Sequence, residues 1–448
     1  MNTELEVWLE QQYRRAAAAM LVSVSPVGLV KERPGFGHTI RPVKGSIIAS
    51  PVLADWNPEP DYFFHWFRDS AVVIDALRLL FEAGDLGPEA PAHVGDFVRF
   101  SLDLQALDGR KIIATTAWRE QVTPDFIKFL RQDAELGAVH GDAIVAETRV
   151  NPDGTLDISS WTRPQHDGAP LRALSMLRWV EVHSFDAELR ALVSKLVRSD
   201  LAFTFAHWRE PSFDIWEEES GQHYYTLCVC AAALREGAEW LADVGEPELA
   251  RSYLAEADVI HRVLDGYWLH EEGHYRSRVL ASGKRSTKEL DIAVILAGIH
   301  ALGDDLTHSV RDPRMQATLQ RLAELFDSLY PINRNRPPDT APAMGRYRGD
   351  VYFSGGAYYF STLGAAEFCF LAAAKSPQAA QWINRGDAFL KTVRQYTPEN
   401  GELSEQFDQR TGAQTSARHL AWSYAAFISC VAARRAVVGT GTRGDRTR

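Results

Sequence analysis

Cysteine is scarce: Cys228, Cys230, Cys369 and Cys430 are the only four in 448 residues, and each lies in an apolar helical context such as YYTLCVCAAAL. That usage excludes a disulfide framework and reads as buried thiols. Cys228 and Cys230 are one residue apart and miss the spacing of roughly two to four residues that structural zinc ligands use. Long apolar runs are missing too, since no stretch approaches the roughly 18 residues of a membrane span. Arg14 and Arg15 precede AAAAMLVSV, but Glu4, Glu6 and Glu10 come first and the stretch has helical amphipathic spacing. No export signal is assigned, and a cytoplasmic location is expected. Positive charge is not in excess: 48 Lys and Arg against 59 Asp and Glu give a net charge of −11. The chain therefore lacks the electrostatic footprint of a nucleic-acid or anionic-membrane binder, and a neutral substrate fits it better.

Strand signals are few and short, which excludes an α/β fold in which strands alternate with helices. What dominates is helical periodicity. Leu5, Trp8, Leu9, Tyr13 and Ala16 fall on one face of a helix over 3–22, and AVVIDALRLLFEAG follows Arg68 and Asp69. Apolar-periodic segments fill 87–137, and long patterns recur at 167–182, 184–209, 221–243, 246–269, 287–301, 306–329, 355–374, 378–396 and 416–437. Length alone suggests two or three domains, with a repetitive helical toroid as the exception. Between the helices, 23–62 carries six prolines and one β-like run, SIIAS, while 140–160 is a polar Asp- and Gly-rich loop. Residues 270–286 read as a surface hairpin with no chemistry assigned. The tail after Val437 lacks large apolar residues and is expected to be disordered.

Two stretches carry chemistry. Ser212–Ser220, SFDIWEEES, sets three glutamates behind a tryptophan. A carboxylic acid that must protonate a glycosidic oxygen needs a raised pKa, which burial and a second carboxylate nearby supply. Glu217 and Glu218, after Trp216, suit that task; a solvated acidic run at a helix start is the plain alternative. Residues 401–426 place Glu405 in a Gly-rich polar segment before a helix with Trp422 and Tyr424. Glycosidases need two carboxyls, one as acid and one as base or nucleophile, and these often come from distant parts of the chain. PDYFFHWFRDS, with Trp66, Arg68 and Asp69, suits a ligand floor, or equally an internal ion pair with Asp69 as a helix cap.

The blocks DIWEEES, LSEQFDQRTGAQTSARHLAWSYAA, PDYFFHWFRDSAVV and SWTRPQHDGAPLRA resemble the glucoamylases, the family 15 glycoside hydrolases, in that family's order. The resemblance spans nearly the whole chain. It implies an all-α (α/α)6 barrel over residues 1–437 and an exo-acting, inverting hydrolase that releases β-D-glucose from α-1,4-linked gluco-oligosaccharides. Isomaltose-type α-1,6 glucosides and trehalose are the alternative substrates, and a silent sugar-binding protein is a third reading. By the resemblance, Glu217 is the general acid and Glu405 the general base. Tyr62 helps place the attacking water. Arg68 and Asp69 hold the terminal glucose, Arg346 and Glu218 contact sugars near the cleavage point, Trp161 and Trp422 supply apolar faces, and Trp66 and Trp216 are further substrate-binding residues. Asp350 and Tyr352 support Arg346, Arg163 is structural or binding, and Asp167 opens the next helix. Burial against Trp216 and the nearness of Glu218 are expected to keep Glu217 protonated. No metal or cofactor is required, the partner is an α-gluco-oligosaccharide, and the oligomeric state is open. Two departures stand out. Ala357, Tyr358 and Tyr359 replace the family's Asn-Pro-Trp, which predicts a reshaped wall, and Phe213 stands where fungal members tend to have tyrosine.

Overall fold

The computed structural model describes residues 3–55, 58–303 and 306–441. Among them are twelve helices of eight residues or more: α1 (Thr3–Leu21), α2 (Phe67–Glu82), α3 (Glu89–Leu104), α4 (Gly168–Val182), α5 (Ala187–His207), α6 (Tyr224–Asp243), α7 (Pro247–Asp265), α8 (Ala293–His300), α9 (Pro313–Leu329), α10 (Tyr359–Ala373), α11 (Ala379–Tyr396) and α12 (Ala421–Gly441). The even-numbered helices form an inner ring. α2 packs on α4, α4 on α6, α6 on α8, α8 on α10, α10 on α12, and α12 closes back onto α2. The odd-numbered helices lie outside, α7 against α6, α11 against α10 and α1 against α12. This closed double ring is the expected (α/α)6 barrel.

Sequence pattern sorts the two rings. The outer helix α7 buries Ala250, Tyr253, Ala257, Ile260 and Leu264, a single stripe at helical spacing. The inner helix α10 is buried on nearly every side, from Tyr359 through Cys369 to Ala373. Closure needs backbones to approach: a Cβ on Gly364 of α10 would lie 2.7 Å from Leu296 Cδ2 of α8. Outer starts are fixed locally, with Asp186 accepting from the Leu189 N–H at α5 and Asp312 from the Arg314 N–H at α9. All four cysteines are free and buried.

Several expected helices start late, because the residues before them pair as short strands. Ser220–His223 (β4) lies between Ser212–Phe213 (β3) and Arg278–Leu280 (β5). His65–Trp66 (β1) pairs with Arg149–Val150 (β2), and Ala357–Tyr358 (β6), Gln406–Phe407 (β7) and Gln414–Thr415 (β8) form another small sheet. Segment 270–286 holds one strand of a hairpin, Trp268–Leu269 with His274–Tyr275, and it also delivers β5. SIIAS contributes only an isolated bridge, Ile47 to Val24, while Lys31–Arg33 pairs with His38–Ile40. The break expected after Val437 falls inside α12, and residues 442–448 lie outside the described residues. None of the described helices is long and apolar enough to cross a membrane.

Candidate active site

The inner helices begin at the same end of the barrel, and the small sheets sit there. A cavity of about 240 Å3 opens among them, lined by Tyr62, Trp66, Arg68, Asp69, Trp161, Trp216, Glu217, Glu218, Arg346, Glu405 and Trp422, so every residue singled out for the site faces one space. Ala49, Ile215, Tyr352, Phe360 and Leu420 complete its wall.

Glu217 sits in the loop that joins β3 to β4. Asp214 builds this loop: its carboxylate accepts the N–H groups of Trp216 and Glu219, each at 2.7 Å, and its carbonyl accepts the Glu217 N–H at 2.8 Å. Closing the turn holds Glu217 at φ 66°, a left-handed conformation that costs a non-glycine residue on the order of 1 kcal/mol and persists only where surroundings enforce it. The enforcing group is Arg278 on β5, fully buried, which reaches Asp214 at 3.1 Å and Glu219 at 3.0 Å and also pairs with Asp291. Asp291 in turn accepts the Trp216 indole N–H at 2.9 Å.

The carboxyl of Glu217 accepts from the indole of Trp66 at 2.7 Å, from Trp161, and from Arg68 Nη2 at 3.3 Å. This differs from the expected pairing with Glu218 and Trp216. Glu218 turns away, accepting from Arg346 Nη2 at 3.1 Å, the Tyr347 hydroxyl at 2.5 Å and Lys288 Nζ at 2.6 Å. Successive side chains of a tight loop point in different directions, so adjacency in sequence does not make the two carboxyls neighbours.

Glu405 precedes β7 and is buried. Ser416, itself at φ 64°, donates its hydroxyl to Oε2, and the Tyr62 hydroxyl stands 3.4 Å from both carboxyl oxygens. Burial lifts the Glu405 carboxyl to about 7, against the opposing pull of Ser416 and Arg346 and with Asp350 and Asp69 adding to the rise. Tyr62 also bonds Tyr352 at 2.8 Å, and burial, then the charge of Glu405, pushes its phenol well above the usual range. Among the described residues Glu217 and Glu405 share no hydrogen-bond partner; the rings of Trp66 and Tyr62, which serve one each, lie 5.2 Å apart.

Arg68 and Asp69 fall in the first turn of α2, so Asp69 is not its cap. Arg68 donates to Gln165 at 3.1 Å and Asp167 at 3.0 Å, and its Nε lies 3.7 Å from Asp69 Oδ2. That Nε is buried without a hydrogen-bond partner among the described residues. Burial raises Asp69 to about 6 in spite of Arg68, with Glu217 and Asp167 adding to the rise. Arg346 is gripped by Asp350 at 2.7 Å and stands over the ring of Tyr352.

The aromatic wall is layered. Phe360 and Trp422 stack with centroids 4.5 Å apart and 8° between planes, and Trp216 lies 5.9 Å from Phe360. Arg163 is structural, pairing with Glu147 at 2.7 Å and Asp157 at 3.0 Å. Neither Tyr358 nor Tyr359 lines the cavity: Tyr358 donates to Asp350 at 2.9 Å and Tyr359 to the Tyr396 carbonyl. Phe213 does not line it either. Asp214, Arg278, Asp291, Ser416 and Lys288 went unread in the sequence, and only the acidic and basic character of the first three hinted at pairing. Among the described residues, no group of three or more His, Cys, Asp and Glu side chains is arranged to hold a metal ion.

The sequence matches the family described as "Glycosyl hydrolases family 15" over residues 36–88, 145–384 and 374–432. It is 28% identical to a probable glucoamylase of Schizosaccharomyces pombe, over 98% of this chain and 94% of that one. Against glucoamylase 1 of Rhizopus oryzae the identity is 25%, over 96% of this chain and 71% of the other. In structure it is similar to the glucoamylase of Saccharomycopsis fibuligera, with a TM-score of 0.76 at 20% identity over 98% of this chain and 97% of that one. The family 15 glucoamylase of Hypocrea jecorina gives 0.77 at 24% identity, over 97% of this chain and 73% of the other, and both structures speak for the fold.

Proposed function

The chain belongs to glycosyl hydrolases family 15, and from that premise we propose that it is an exo-acting, inverting glucoamylase that releases β-D-glucose from the non-reducing ends of α-1,4-linked gluco-oligosaccharides. What carries this reading is that two carboxyls from loops far apart in the chain, Glu217 and Glu405, line one cavity floored by the buried Arg68–Asp69 pair. The likeness to relatives named glucoamylases supports it.

Glu217, as general acid, gives a proton to the glycosidic oxygen as the bond from that oxygen to the anomeric carbon breaks. A water between Glu405 and the Tyr62 hydroxyl loses its proton to Glu405 and attacks the anomeric carbon from the opposite face. One inversion follows, and the released glucose is β. The burial that lifts Glu405 to about 7 makes it a competent proton acceptor near neutrality. Arg68 and Asp69 bind hydroxyls of the terminal ring and close the cavity to longer chains, which makes the action exo. Arg346 and Glu218 stand on the leaving-group side, and the indoles of Trp161 and Trp422 supply apolar ring faces.

The test is hydrolysis of maltotriose, isomaltose and trehalose, with the released anomer followed by proton NMR. β-Glucose released fastest from maltotriose is expected, and it should vanish in E217Q and E405Q. Faster release from isomaltose or trehalose would keep the chemistry and move the linkage. α-Glucose as the first product would overturn the assigned roles.

A further inference from the structure

Glu218 carries more partners than a substrate-binding carboxylate needs. Arg346 takes one oxygen, while the Tyr347 hydroxyl and Lys288 Nζ share the other. Lys288 does not itself line the cavity. It comes from the stretch between β5 and α8, where its N–H donates to Ser286 Oγ at 3.0 Å and its carbonyl accepts from Ser277 Oγ at 2.9 Å. Its side chain is 22% exposed, against 26% for Glu218. The ammonium also lies 4.7 Å from the centroid of the Tyr347 ring, which the guanidinium groups of Arg346 and Arg278 face as well, at 5.4 Å and 6.0 Å. A loose surface ion pair has neither a pinned backbone nor an aromatic rest.

Resting on the glucoamylase reading above, we propose that Lys288 is a positioning residue for the leaving-group sugar: by holding Oε2 of Glu218 it keeps that carboxylate, and through it Arg346, set for the ring beyond the bond that breaks.

The charges argue for this division of labour. Arg346 and Lys288 face Glu218 and Asp350, two cations against two anions, and Arg346 already spends two nitrogens on Asp350. Without Lys288 the cluster is left one negative charge in excess, and Glu218 keeps Arg346 as its cation, with the neutral Tyr347 hydroxyl on its other oxygen. The guanidinium then sits between two competing carboxylates, and its donors for sugar hydroxyls move with it. The terminal glucose is gripped by Arg68 and Asp69 on a separate element, α2, so the disturbance falls on one side of the scissile bond.

The experiment compares kcat/KM for maltose, whose leaving group is a sugar, with that for p-nitrophenyl α-glucoside, whose leaving group is a flat aryl ring. In Lys288→Met the maltose-to-aryl ratio is expected to fall about tenfold, the scale of one lost charge-assisted hydrogen bond, with the change in KM for maltose. Lys288→Arg, which keeps the cation, should recover most of the ratio. A merely structural lysine would lower both substrates together, and that outcome, or an unchanged ratio, overturns the proposal. If K288M does not fold, K288Q carries the same readout. A wild-type protein that cleaves neither substrate would sink the glucoamylase reading and this inference with it, whereas an active wild type with an unmoved ratio sinks this inference alone.

Discussion

Ser416 donates its hydroxyl to Oε2 of Glu405 from a backbone held at φ 64°, so the closer of two neutral donors to this carboxyl, the other being the Tyr62 hydroxyl, is itself placed by a strained turn. Burial lifts Glu405 to about 7, and the Ser416 hydrogen bond opposes the lift by favouring the charged form. A base must be ionised to act, so kcat/KM should rise as pH climbs through the pKa of Glu405. Ser416→Ala removes the opposing bond and should shift this acid-side limb upward, by about half to one unit, with a lower rate at pH 5 than wild type. A pH–rate profile on maltose reads it; an unmoved limb would show that another group controls it.

The roles of Glu217 and Glu405 separate when the leaving group needs no proton. Glu217→Gln should cost roughly 10²–10⁴-fold on maltose, the usual worth of a general acid, and far less on α-glucosyl fluoride, whose fluoride departs unaided. Glu405→Gln should impair both substrates. Equal losses for E217Q on both would remove Glu217 from the acid role.

The loop that carries Glu217 depends on Asp214, whose two oxygens take two backbone N–H groups and Arg278. Asp214→Asn turns one acceptor into a donor facing donors, and leaves buried Arg278 short of charge. The expected cost is about 2–4 kcal/mol in stability and about tenfold to a hundredfold in kcat, because Glu217 loses the turn that aims it. Thermal unfolding and kinetics on the same sample check both. Full activity in D214N would mean that the turn holds its shape without this carboxylate.

The sequence was most readable where chemistry and periodicity are local. Helical stripes such as that of α7 survive in any window of the chain, and the aromatic and acidic residues of the site sit in contiguous blocks beside Trp66, Trp216 and Trp422. Strands of two to four residues have too little period to detect, which is why β3, β4 and β6 merge in the sequence with the helices or loops beside them. The contact of Arg278 with Asp214 joins residues 64 apart in the chain, and that of Lys288 with Glu218 joins residues 70 apart. Nothing in a local window announces such pairs. The direction of Glu218 failed for a further reason: the left-handed residue before it sends neighbouring side chains apart, and backbone handedness at a glutamate leaves no trace in composition.

At the end of the barrel away from the catalytic cavity, the later turns of the inner helices enclose a second space of about 260 Å3, and Glu367 of α10 is buried in its wall. Its hydrogen bond from Ser429 is 2.7 Å long. Asp75, which also lines this space, is taken up by Arg78 at 2.8 Å, with Arg178 3.7 Å away, so among the described residues no cation is left to face Glu367. Burial lifts Glu367 to about 8, Ser429 opposing and Asp75 adding to the rise. The unfolded chain releases this proton near pH 4.3, as glutamates usually do. Between about 4.3 and 8 the folded state therefore holds one more proton than the unfolded state, and stability falls as pH rises across that window. Glu367→Gln keeps the shape and removes the titration. It should have little effect at pH 5 and raise the melting temperature at pH 8.5 by on the order of 2–4 °C. Scanning calorimetry at both values measures the difference, and a gain equal at the two pH values would assign it to packing and not to the buried proton.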